Sequence, residues 1–143
     1  MSKNKVNEKI LAIDLGLKRI GIAFCADATI VTPLPAIERK NRNQASKAVK
    51  DLILEWGVTI VVMGIPMDGG ETEAEMTRRT AHFMNLVDFE GKVFYQDESY
   101  SSLEAEALMK GEIRQKKDGR IDSLAAKIIL ERFLAENRLK IDS

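Results

Sequence analysis

The sequence predicts an α/β domain, a mixed β-sheet with helices on its faces. Two β-rich runs, 9–15 and 19–25, are separated only by "GLK", which is hairpin spacing. Further along the chain, strand-like runs alternate with stretches of helical spacing, and such alternation places helices against a sheet. The element order is therefore β-β-β-α-β-α-β-α-α.

Each element has its own signal. A third short strand is predicted over 29–33, ahead of Pro33 and Pro35. Asn43 reads as an N-cap. After it, Ala45, Ala48, Val49, Leu52, Ile53 and Trp56 recur at helical spacing until Gly57 ends the run. "VTIVVMG" (58–64) is continuous and β-branched, as a strand buried on both faces should be. "IPMDGG" is a loop, and "TEAE" (72–75) fits a capping box opening a helix to about Val87. "GKVFYQ" (91–96) is the fifth strand, followed directly by "DESYSS". A second capping box, "SSLE" (101–104), begins a helix ending near Gly111, and the basic loop "RQKKDG" follows. The last helix carries an apolar stripe of Ile121, Leu124, Ala125, Ile128, Ile129 and Phe133.

Length and composition bound the rest. A chain of 143 residues suits one domain with a real core, here assigned to 9–138, with a leader over 1–8 and a tail over 139–143. Apolar residues make up 45% and charged residues 31%, which excludes disorder as the default. No apolar run approaches the roughly 18 residues of a membrane helix, so no membrane partner is expected. The leader "MSKNKVNEK" lacks the apolar centre of a secretory signal. Cys25 has no second cysteine to pair with and sits in an apolar run, which reads as a buried thiol in a cytoplasmic protein. Lys+Arg and Asp+Glu both number 22, so a large nonspecific grip on nucleic acid is not indicated, though a local basic rim is compatible. His82 is the single histidine, which excludes a zinc site built on paired histidines. A cysteine–histidine or serine–histidine pair would have to use His82, so if the protein is an enzyme, carboxylates are the expected workers.

Three carboxylates stand out by position. Asp14 ends the first strand, where it either shapes the turn through Gly16 and Leu17 or meets a ligand. Asp97 and Glu98 follow the fifth strand. Adjacent strand residues point to opposite sides, so one of the two can share a site with Asp14. Asp122 lies in the first turn of the last helix, at the edge of its apolar stripe, with Asp118 four residues earlier. An aspartate there is common for dipole reasons alone. Together, acids at two strand ends and a helix start resemble a Mg²⁺ site built from oxygen ligands. Two such ions, roughly 4 Å apart, would activate water and stabilise the leaving oxygen of a phosphodiester. Lys18-Arg19 and Lys116-Lys117 would supply phosphate contacts, although a solvated surface explains Lys116-Lys117 better. "GIPMDGGETE" lacks the ending of a P-loop and reads as a structural turn with Asp68 at its corner. His82 reads as a packing or surface residue.

Four stretches, "AIDLGLKRIGIAF", "VVMGIPMDGGETE", "QDESYSS" and "KKDGRIDSLAAKIILERFL", resemble in order and spacing the YqgF/RuvX family. Its members are bacterial proteins provisionally described as pre-16S rRNA nucleases or as Holliday-junction-resolvase-like. The resemblance covers about residues 9–137. It implies a ribonuclease H-like fold, with a five-stranded mixed sheet in the order 3-2-1-4-5. It also implies Mg²⁺- or Mn²⁺-dependent phosphodiester hydrolysis in 5′-end maturation of 16S rRNA. The family's first-strand aspartate matches Asp14, its "DER" glutamate matches Glu98, and its last-helix aspartate matches Asp122; these three would be both metal ligands and catalytic residues. Lys18 and Arg19 would contact nucleic acid. The family's arginine after Asp-Glu is Ser99 here, and the acid that junction-resolving relatives carry after the fourth strand is absent from "GIP".

Three functions follow. The first is a metal-dependent nuclease acting on pre-16S rRNA or, alternatively, on branched DNA as a junction resolvase. The second is a non-catalytic nucleic-acid or ribosome-assembly binding module, motivated by Ser99 and the zero net charge. The third, an ATPase of the actin and sugar-kinase type, would need two such domains. The oligomeric expectation is a monomer or homodimer.

Overall fold

The computed structural model describes residues 8–27, 30–98 and 123–142. Five strands form one sheet: β1 (Lys9–Leu15), β2 (Arg19–Ala26), β3 (Ile30–Glu38), β4 (Ile60–Ile65) and β5 (Lys92–Asp97). Three helices are described, α1 (Arg42–Trp56), α2 (Glu71–Val87) and α3 (Leu124–Asp142). The strand order is β3-β2-β1-β4-β5. The β1–β2 and β2–β3 pairs are antiparallel, whereas β1–β4 and β4–β5 are parallel. The carboxyl ends of β1, β3, β4 and β5 therefore share one edge of the sheet.

Alternation along the strands sorts side chains onto two faces. Leu11, Ile13 and Leu15 of β1 pack with Val61 and Met63 beneath Val49 and Ile53 of α1 and Phe83 and Val87 of α2. Ile10 and Ala12 face the other way, with Ala23, Cys25, Ile60 and Val62, under Ala126, Ile129, Leu130 and Phe133 of α3. With both faces covered, all six residues of β4 are buried, as its continuous apolar run predicts. Cys25 is buried. No described helix is long and apolar enough to cross a membrane.

The structure revises three local expectations. β3 does not stop at Pro33 but runs to Glu38. It is an edge strand, paired on one side only, so a missing amide proton is tolerated. Helix α1 is capped by Asn41 rather than Asn43. The Asn41 side chain accepts from the Gln44 amide at 2.8 Å, and Gln44 reaches back to the Asn41 amide at 3.4 Å. Helix α2 begins before "TEAE", with Gly70 at the N-cap and no side-chain cap. Thr72 is thus inside the helix, and the upstream loop satisfies its own amides: Gly70 donates to Asp68 at 2.9 Å and Gly69 to Glu73 at 2.7 Å. Asp68 therefore does stand at the corner of a structural turn. Gly57 ends α1 in the left-handed conformation (φ 66°), as expected. The 101–111 helix, Lys116-Lys117, Asp118 and Ser99 lie outside the described residues.

The start of the last helix is tied to the sheet by a hydroxyl. Between the pairs Ile20↔Ile37 and Ile22↔Leu34, β3 carries one more residue than β2, a bulge. Beside it, the Ile22 amide donates to Ser123 Oγ at 3.0 Å, and the same hydroxyl donates to the Leu34 carbonyl. Ser123 is fully buried and precedes α3 directly. It takes the place of a direct ladder bond and seats the start of α3 against β2 and β3.

Candidate active site

At the shared carboxyl edge, on the α3 face, Asp14 and Glu98 come together. Asp14 continues the face of Ile10 and Ala12, and it pairs in register with Gly21 of β2. Glu98 follows β5, where its amide donates to the Ile65 carbonyl at 2.9 Å and extends the parallel pairing by one residue. The Glu98 carboxyl hydrogen-bonds to that of Asp14. Burial, the charge on Asp14, that hydrogen bond and the charge on Asp97, in decreasing order, push the Glu98 carboxyl up to about 7.

Asp97 turns to the other face. Its Oδ1 accepts from the Met67 amide at 3.2 Å, which ties the β4–α2 loop to the end of β5. Alternation thus separates the adjacent acids into one at the site and one that braces a loop.

Gly64 makes room for this arrangement. A Cβ there would meet Ile129 Cδ1 at 2.3 Å and Glu98 Oε1 at 3.1 Å. The residue that ends β4 on this face is therefore empty space filled by α3 and Glu98, where junction-resolving relatives were expected to carry an acid. Arg132 of α3 brings a guanidinium to the same strand end, donating from Nη1 to the Asp97 carbonyl at 3.4 Å. The family's arginine after Asp-Glu is Ser99 in this chain, and Arg132, one helical turn after Ile129, is a cation the sequence motifs do not signal.

Lys18 sits in the turn that follows Asp14 and Arg19 opens β2, both exposed. The Gly16 amide closes this turn onto the Arg19 carbonyl at 3.1 Å, and a Cβ at Gly16 would lie 2.5 Å from that oxygen. Arg39, just after β3, donates from Nη1 to the Gly16 carbonyl at 2.9 Å. Asp122 lies outside the described residues. Among the described residues, no group of three or more His, Cys, Asp or Glu could hold a metal ion.

Comparison with known proteins decides the family. A family described as RuvX, Holliday junction resolvase, matches residues 8–136. The chain belongs to the RuvX family. A Sulfurimonas denitrificans relative is 62% identical over 128 residues, covering 90% of this chain and 98% of that protein. A Sulfurovum relative is 53% identical and covers 89% and 98% respectively. Both carry the provisional name pre-16S rRNA nuclease. Among solved structures, Thermus thermophilus RuvC in complex with a Holliday junction substrate superposes with a TM-score of 0.55 at 13% identity. That comparison covers 90% of this chain and 95% of the other. The fowlpox virus Holliday junction resolvase gives 0.53 at 12% identity, covering 90% and 99%. At these identities the likeness is one of fold, and the fold of this RuvX chain is ribonuclease H-like, with the expected order 3-2-1-4-5.

Proposed function

We propose that this protein is a divalent-metal-dependent nuclease that hydrolyses phosphodiester bonds in structured RNA, acting in 5′-end maturation of 16S rRNA. The observation that carries this reading is the Asp14–Glu98 pair at the carboxyl edge of the sheet in a RuvX chain. Two carboxyls held in contact repel when both are ionised, and a divalent cation relieves that repulsion while a phosphodiester provides its remaining ligands. The donor set is all oxygen, which suits Mg²⁺ or Mn²⁺. Asp14 and Glu98 would hold the ion, with Asp122 proposed as the third ligand. Ser123, its neighbour in sequence, is anchored on Ile22, whose register partner is Ile13 beside Asp14. When bound, the metal supplies charge stabilisation at the scissile phosphate and a more acidic water.

The chain's own residues do the rest. Asp14 and Glu98 present negative charge at a site partly shielded by Ile129. Glu98 must release its proton before the pair can bind a cation fully. Lys18 and Arg19 flank the site as phosphate contacts. The RNA substrate is preferred to branched DNA because both close relatives are named for pre-16S rRNA.

Purified protein should be incubated with RNA spanning the 5′ end of a 16S precursor, and in parallel with a four-way DNA junction, with and without Mg²⁺ or Mn²⁺. Metal-dependent cleavage of the RNA that is lost in Asp14→Asn supports the reading. Cleavage of the junction alone would replace it with resolvase activity. Binding of RNA without turnover at every metal concentration would favour the binding module.

A further inference from the structure

A second concentration of charge lies on the opposite face of the sheet, where α1 meets α2. Arg39 leaves the end of β3, packs its guanidinium 6.0 Å from the centre of the Phe83 ring, and holds the Gly16 carbonyl beside the active-site turn. Arg42 opens α1 and reaches across to α2, where its Nη1 lies 3.0 Å from His82 Nε2. A guanidinium can only donate, so in this contact the ring nitrogen is the acceptor. Arg79 stands one turn before Phe83 on α2. Arg39 is held below its ordinary value by burial first, then by the nearby charges of Arg79 and Arg42.

Three guanidinium groups that repel one another would ordinarily be offset by carboxylates. Among the described residues, none of the three makes an ion pair with one. Glu38 precedes Arg39 and Glu75 lies four residues before Arg79, but neither is within ion-pair distance of the cluster. Arginine does not shed its proton to relieve the crowding. An external polyanion would supply the missing negative charge. Beside the cluster, an open hollow of about 430 Å³ is lined by Asn41, Arg42, Asn43, His82 and Leu86. Its lining offers amide, imidazole and guanidinium groups, the donors that phosphate and sugar oxygens use.

We infer that Arg39, Arg42 and Arg79 form a track for the phosphodiester backbone of the nucleic acid, continuous with the active-site turn through the Arg39–Gly16 contact. This inference rests on the nuclease reading. A strand whose scissile phosphate lies at Asp14 and Glu98 would cross the carboxyl edge of the sheet over Gly16–Arg19 and continue between α1 and α2. The track supplies local positive charge to a chain whose net charge is zero. It contacts phosphates and so adds affinity without sequence preference.

The test measures binding of a labelled stem–loop RNA and a labelled four-way DNA junction by full-length Asp14→Asn protein across a range of salt. Arg39→Gln/Arg42→Gln/Arg79→Gln in that background should weaken binding roughly 100-fold near 0.1 M salt and little near 1 M salt, if each contact neutralises one phosphate. The salt slope should become shallower by about one per arginine removed. Because Arg39 also braces the turn, Arg42→Gln/Arg79→Gln is measured alongside, with its melting temperature as the check on folding. The Arg42→Lys/Arg79→Lys protein should keep most of the affinity. Loss on both probes identifies a shared backbone contact, and loss on RNA alone identifies a track that follows RNA; both support the inference. Unchanged affinity and slope on both probes would overturn it, as would lysine variants that lose as much as glutamine variants. The nuclease reading fails separately, if wild-type protein binds through this track and does not cleave.

Discussion

The Glu98 carboxyl hydrogen-bonds to Asp14 across the carboxyl edge of the sheet, although the two residues come from non-adjacent strands of the order β1-β4-β5. Gly64 of β4, between them, has no side chain to intervene. Burial and the neighbouring charge of Asp14 push the Glu98 carboxyl up to about 7.

Asp14→Asn should remove metal-dependent cleavage, by roughly 10²-fold or more, the scale on which charge-stabilising groups at a reacting centre act. In the absence of metal its melting temperature should be unchanged or higher, because the like charge beside Glu98 is gone. Cleavage by purified variant protein at the wild-type rate would remove Asp14 from the site.

The pH dependence has a defined sign. The Glu98 carboxyl is raised from 4.5 in an ordinary setting to about 7 when folded. The folded state therefore binds this proton more tightly than the unfolded chain. Its contribution to stability is fully present below 4.5 and is lost as pH rises through about 7. Metal-free wild-type protein should lose melting temperature between pH 5 and 8, relative to Glu98→Gln, and Mn²⁺ should restore it at pH 8 in wild type only. Parallel pH profiles for the two proteins would contradict the assignment.

Gly64→Ala should damage the site more than the fold. The new methyl meets Ile129 Cδ1, a movable side-chain end, and crowds Glu98 Oε1. Overpacking of this kind costs about 1–3 kcal/mol. Nuclease activity should fall well beyond that stability loss, and a variant with full activity and lowered melting temperature would show that Glu98 tolerates displacement.

Ser123→Ala removes the hydroxyl that joins the Ile22 amide to the Leu34 carbonyl. Both groups are then left unpaired in the interior, at about 1–3 kcal/mol each. Chemical denaturation should show a loss in that range. A loss near zero would mean that β2 and β3 close up to bond directly.

Much of the fold was legible in the chain because alternation and helical spacing are local. The buried run of β4, the amphipathic stripes of α1 and α3, and the αL glycine after α1 each follow from near neighbours. Where the caps depart from expectation, two local signals compete. Asn41 and Asn43 both suit an N-cap, and Gln44 decides between them by its reach. Thr72 has the right residue type for a cap, but the Gly69-Gly70 turn lets the helix start earlier.

For the site, the sequence by itself determined which acids stand at strand ends and that Asp97 and Glu98 must diverge. Period-two geometry requires that divergence whatever the rest of the molecule does. The family resemblance names Glu98 as the partner of Asp14, and only the tertiary structure gives the reason, because β5 joins the sheet through β4 and its register sets the face. Gly64, Arg132, Ser123 and the Arg39–Arg42–Arg79 cluster belong to that second kind of information. Each acts across a long stretch of chain, and no spacing along the sequence records a contact that exists only once the sheet has formed.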